Sequence, residues 1–245
     1  MPAPRSRLLV VAPVLAGLVA LGCVAAPRDD SGAPAPTRTR TNAPVTSPVD
    51  PDEDGTDTPA EFQQDLTSAG KIAEGYWGAQ FQASGLRFQP ISRLIAYERE
   101  GEVDCGGQPL GLNNAAYCSA GDFIAYDVNW AFASFRQIGD AFIFYLLGHE
   151  YAHGVQLRLG IQKQFTIQQE LQADCMAGAY IGDSVRQEQL RLQDGDIDEL
   201  RRGLDAVGDQ PGQPWFAEGS HGSARQRTQS FAKGFDGGLT DCDVR

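Results

Sequence analysis

The chain has 245 residues, 42% of them hydrophobic, and its 32 acidic against 20 basic side chains give a formal charge of −12. That is enough apolar material for one large domain or two small ones. The acidic balance argues against a nucleic-acid partner, which needs a basic face to meet phosphates.

In chain order, Arg5 and Arg7 precede the apolar run LLVVAPVLAGLVAL, and small residues follow. This is the pattern of an export signal, too short and wrongly flanked for a membrane-spanning helix. The run ends in ALGC, which resembles a bacterial lipoprotein processing site. Residues 1–22 are therefore expected to be removed and Cys23 to carry lipid, anchoring the protein on the outer side of the cytoplasmic membrane. Residues 24–58 are rich in Pro, Thr, Ser and Asp with hardly a large apolar side chain, and cannot bury enough surface to offset their ordering entropy. They read as a disordered tether with a reach on the order of 100 Å at roughly 3.3 Å per residue.

A folded domain over 59–245 is expected next. Thr58, Pro59 and Glu61 form a helix start with a capping box, and the helix should run to about Phe81. LRFQPISRLIAYERE predicts one or two strands interrupted by Pro90, and FIAYDVNW a short strand containing Tyr126, taken as an edge strand. The apolar spacing from Phe132 to Leu159 predicts one long helix ending at Gly160. Thr166 and Gln169 predict the next helix start, with the helix reaching about Asp183. DGDIDELRRGLDAVGD predicts a helix with acids in its first turn, and Ser223 with Gln226 opens a last one that Gly237 can end. Asp194, Asp196 and Asp198 have the spacing of a calcium loop, but Glu199 stands where that loop requires glycine, so the loop is excluded.

The cysteines fit export. With Cys23 set aside, Cys105, Cys118, Cys175 and Cys242 remain, an even number that permits three pairings. Two disulfides are expected in an oxidising compartment. We expect Cys105–Cys118, enclosing a short Gly/Asn-rich loop, and Cys175–Cys242, tying a helix to the C-terminus.

The chemistry concentrates in GHEYAHGVQ, which uses two of only three histidines. Four residues on a helix is about 400°, so His149 and His153 share a face and can converge on one metal ion. Glu150 lies about 100° round, where a carboxylate can take a proton from a water at the metal. A zinc hydrolase needs a third protein ligand. Glu170 and Asp174 are again four apart. On a helix packed antiparallel to the first, Glu170 completes the ligand set and Asp174 accepts an imidazole N–H. His221 is a candidate donor to a carbonyl oxyanion, and Arg225 a weaker one. Tyr126 and Tyr151 are expected to pack rather than react.

GHEYAHGVQ, ELQADCMAGAY, DGDIDELRRGLDAVGD and HGSARQRTQSFAKGF together resemble, in order, the neutral zinc metallopeptidase family of bacteria, and the upstream CG…YC…YD segment is similar to its cysteine-bounded stretch. The segment NNAAYCSAGDF departs from the family's usual sequence there. The histidine motif followed by Glu-x-x-x-Asp also resembles thermolysin-like zincins. The resemblance implies an α+β zincin-like domain, mainly helical with a small sheet, carrying one Zn²⁺ on His149, His153 and Glu170. It implies a peptide or protein substrate and peptide-bond hydrolysis with Glu150 as the base. A non-peptidase zinc hydrolase and a zincin-fold scaffold lipoprotein without turnover are the alternatives; the intact Glu150 disfavours the scaffold.

Overall fold

The computed structural model describes residues 58–210, 212–214, 216, 217 and 219–244. The expected signal, Cys23 and almost all of the tether lie outside the described residues. Within them the elements run α1 (Pro59–Ala83), β1 (Arg93–Tyr97), β2 (Asp104–Cys105), β3 (Gln108–Pro109), β4 (Ala115–Cys118), β5 (Phe123–Asp127), α2 (Val128–Ile138), α3 (Ala141–Arg158), α4 (Thr166–Arg186), α5 (Asp196–Ala206), α6 (Ala224–Gly237) and a final 3₁₀ turn, Leu239–Cys242. The architecture is α+β and mainly helical. No helix among the described residues is long and apolar enough to cross a membrane.

α1 begins as its sequence dictates. Thr58 accepts the Glu61 N–H and the Glu61 carboxylate accepts the Thr58 N–H, closing the capping box ahead of Pro59. Its buried stripe, Phe62, Leu66, Ala69, Ala73, Tyr76 and Phe81, faces the core. β1 pairs in parallel with β5 and β4 pairs antiparallel with β5, giving the order β1-β5-β4. β5 is thus the fully buried central strand rather than an edge, and β4 is the edge that faces the helices. Tyr126 and Tyr151 are buried, as packing residues should be. Of LRFQPISRLIAYERE only Arg93–Tyr97 is a strand.

The single helix expected over 132–159 is two. Gly139 adopts φ 131°, and the Asp140 side chain accepts the Ala141 N–H to start α3 afresh. Hydrophobic spacing cannot reveal this break, because α3 is buried nearly all round: every residue from Ala141 to Gln156 is buried except the partly exposed His153. α4 starts one residue earlier than its capping pattern suggested, with Phe165 at the N-cap and Gln168 reaching back to the Phe165 N–H. Both expected disulfides are present, Cys105–Cys118 and Cys175–Cys242.

Candidate metal centre

α3 and α4 run antiparallel, since Tyr145 meets Asp174 while Gln156, eleven residues on, meets Gln169. The two pairs of residues spaced by four therefore face each other. His149 Nε2 lies 3.1 Å from Glu170 Oε2, His153 Nε2 3.4 Å from Glu170 Oε1, and the two Nε2 atoms are 3.2 Å apart. All three side chains are among the groups geometrically able to hold a metal ion.

The surrounding hydrogen bonds decide which nitrogens carry protons. His149 Nδ1 faces the Asp174 carboxylate at 2.9 Å and must donate to it. Gln156 Nε2 donates to Gln169 O and Gln172 Oε1, which turns Gln156 Oε1 toward His153 Nδ1 at 2.9 Å. That ring nitrogen donates too. With both rings neutral, both Nε2 atoms present lone pairs to each other and to the Glu170 carboxylate. Such a convergence is repulsive unless a proton or a metal ion sits in its midst, and two imidazoles with one carboxylate suit zinc. The residues present fit the metal.

Asp174 is fully buried and anchors this arrangement. It accepts from Tyr145 Oη at 2.8 Å, and from Arg227 through Nε and Nη2, both at 2.9 Å. Arg227 Nη2 also reaches Tyr145 Oη at 2.9 Å, and Nη1 donates to the Val207 carbonyl. The last-helix arginine singled out from sequence, Arg225, is instead exposed. The usable signal was position: Arg227, Phe231 and Gly234 form the buried face of α6. An arginine on an apolar stripe needs a buried carboxylate partner.

Burial resists charging His149, but the Asp174 charge and the hydrogen bonds it donates to Asp174 and Glu170 carry its imidazole up to about 10. Burial likewise works against Glu170, yet hydrogen bonds and charge from both histidines hold it far below the usual carboxylate range. Asp174 is held low against its burial by the Arg227 and His149 charges. Glu150 goes the other way. Burial pushes its carboxyl up, against the histidine charges and the Tyr117 N–H, which donates to Oε2 at 2.7 Å.

That amide belongs to β4, so the edge strand and Glu150 are locked together beside the histidines. The centre opens into a cleft of about 720 Å³, walled by Asn113–Tyr117 on one side and by Trp130, Leu146, Val207 and His221 on others. His221 stands half-exposed on this wall, its Nδ1 3.6 Å from Asp209. The structure thus gathers His149, Glu150, His153, Glu170 and Asp174 into one centre and leaves His221 at its rim.

A mainly helical α+β domain thus brings this motif and these converging groups together as a candidate metal site. The chain belongs to the family described as "Putative neutral zinc metallopeptidase", which it matches over residues 52–244. It is similar to the "Uncharacterized protein YpfJ" of Escherichia coli K12, 30% identical over 190 residues covering 67% of this chain and 64% of that protein. It is also similar to the "Uncharacterized protein Rv2575" of Mycobacterium tuberculosis H37Rv, 34% identical over 125 residues, 41% of this chain and 43% of that protein. The chain spans less than two thirds of the length of these curated relatives. No solved structure matches it.

Proposed function

We propose that the protein is a zinc-dependent peptidase, with one Zn²⁺ held by His149, His153 and Glu170. The observation that carries this reading is the convergence of two imidazole Nε2 atoms and a carboxylate beside a separate, buried carboxylate, Glu150. Zinc held there supplies Lewis acidity toward a water and a substrate carbonyl.

The chain's own groups do the rest. Glu150, raised by burial and aimed by the Tyr117 amide, takes a proton from the attacking water. As the water oxygen bonds to the carbonyl carbon and the C–N bond breaks, Glu150 returns that proton to the leaving nitrogen. The β4 edge supports a peptide substrate over a small ester. Tyr117 turns its N–H away from β5, so Ala115, two residues back, shows its backbone on the same free edge, where an extended chain can pair. His221 lines the cleft wall, which supports it as donor to the developing oxyanion.

The signal and ALGC motif support processing at Cys23 and a lipid-held protein on the extracytoplasmic face, with residues 24–58 as tether and 59–245 as the catalytic domain.

Glu150→Gln tests the reaction, because it keeps size and polarity and leaves the three ligands in place. Zinc content should be near that of the parent while hydrolysis of a peptide library falls by about 10²–10⁴-fold. His221→Ala should cause a smaller loss, mainly in turnover. Parent-like hydrolysis by zinc-loaded Glu150→Gln would refute the mechanism. No hydrolysis by the parent across the library would favour the scaffold alternative.

A further inference from the structure

The histidine helix carries a second charged cluster at its other end, about 13 Å along the axis from His149 at 1.5 Å per residue. Asp140 caps α3, its Oδ1 accepting the Ala141 N–H at 2.9 Å. Glu199 of α5 aims Oε2 at the same N–H, at 3.3 Å. One amide hydrogen cannot neutralise two carboxylates. Asp196, the first residue of α5, brings a third, and one oxygen from each of the three lies within 4.8 Å of the other two.

The cluster is not a solvated acidic surface. Asp140 is 8% exposed and Asp196 3%. The Asp140 Oδ2 is buried with no hydrogen-bond partner, an orphaned acceptor beside two further carboxylates. The main chain wraps the group closely, since a Cβ on Gly139 would overlap the Glu199 carboxylate. Arg202 stands 3.8 Å from Glu199 on its exposed side and offsets part of the charge there. Burial, the charges of Glu199, Asp196 and Asp65, and a hydrogen bond shared with the Glu199 carboxyl all push the Asp140 carboxyl up, to about 8.

Like charges gathered out of water repel strongly unless a cation joins them. The donors are all carboxylate oxygens, the set that hard cations choose over zinc or copper. Their span also fits, because ligands about 2.4 Å from calcium on opposite sides stand about 4.8 Å apart. We infer that Asp140, Asp196 and Glu199 form a binding site for a divalent cation of the calcium class, separate from the His149 centre. Bound there, it joins the start of α5 to the start of α3 and so fixes the histidine helix from its far end. The linear calcium-loop pattern is absent as such: Asp198 turns outward to Arg201 at 3.0 Å, while Asp196 alone of that series turns in.

The test uses the full chain, stripped with chelator and reloaded with one equivalent of zinc, then titrated with calcium by calorimetry. One equivalent of calcium should bind with Kd between about 10⁻⁵ and 10⁻³ M, and the thermal unfolding midpoint should rise with calcium. Asp140→Asn retains a good capping side chain, and Glu199→Gln retains size. Each should weaken calcium binding by about tenfold or more and abolish the calcium-dependent shift, with zinc content unchanged. If one variant fails to fold, the other is read. Absence of calcium binding by the parent, or parent-like binding by both variants, overturns the site. So does a parent midpoint indifferent to calcium that rises in both variants, since the carboxylates would then simply share a proton.

Discussion

At the residue scale, the two acids of α4 have different neighbours and so should fail differently. Glu170 faces both Nε2 atoms, whereas Asp174 faces only the back of His149, together with Tyr145 and Arg227. Glu170→Ala should largely abolish zinc retention. Asp174→Asn should keep a site weakened by about 10- to 100-fold. Metal titration decides between them, and an Asp174 variant emptied of zinc beside a Glu170 variant that holds it would reverse the assignment. Arg227→Gln should act first on stability, since it strips the paired charge from a carboxylate with no access to water. Breaking such a buried pair costs about 3–5 kcal/mol, which urea denaturation would register as a lowered midpoint.

At the element scale, the site depends on how closely α6 approaches α4, because α6 carries Arg227 to Asp174. Glycines make that approach possible. A Cβ on Gly234 would overlap the Cys175 carbonyl, and one on Gly178 would overlap the Phe231 carbonyl. Gly234→Ala should therefore force the helices apart, lowering stability by about 1–3 kcal/mol and weakening zinc binding with it. Gly75→Ala is the control. That position in α1 is exposed, with nothing within 4 Å of an added Cβ, and the change should be neutral or stabilising by about 0.5–1 kcal/mol. Equal effects of the two substitutions on the unfolding midpoint would refute this account of the α4–α6 contact.

At the scale of the whole molecule, pH and metal are linked through His149. Its pKa is raised from 6.5 to about 10, so its contribution to the stability of the metal-free chain is complete below about 6.5 and is lost as pH rises through 10. Zinc must displace the same proton, so its apparent affinity should climb with pH up to about 10. Calorimetry in two buffers of different ionisation enthalpy should show protons released on zinc uptake at neutral pH. Zinc uptake without proton release would mean His149 is already neutral. Anchoring is tested on the intact chain in cells: Cys23→Ser should release the protein from the membrane fraction or stall its processing. A variant processed and membrane-associated like the parent would dismiss the lipid anchor.

What the sequence could determine is what local spacing controls. Residues four apart on a helix must share a face, so the pairs His149/His153 and Glu170/Asp174 were legible before any fold was known. The same holds for the Thr58–Glu61 cap, which is a contact between residues three apart. The four cysteines that remain with Cys23 set aside also announced two bridges. Other features are set by contacts between distant parts of the chain, and only the tertiary structure could decide them. The Arg227–Asp174 pair joins residues 53 apart in sequence, and Arg225 and Arg227 look alike until α6 is docked. The break at Gly139 is followed by Ala141–Gly148, buried on every side, where periodicity carries no signal. The central place of β5 follows from a parallel pairing with β1 that no turn announces. The carboxylates of Asp140, Asp196 and Glu199 meet only because α5 packs onto the start of α3. Local order follows from short-range sterics and hydrogen bonds. The partners of a buried charge follow from which surfaces the collapsed chain presses together.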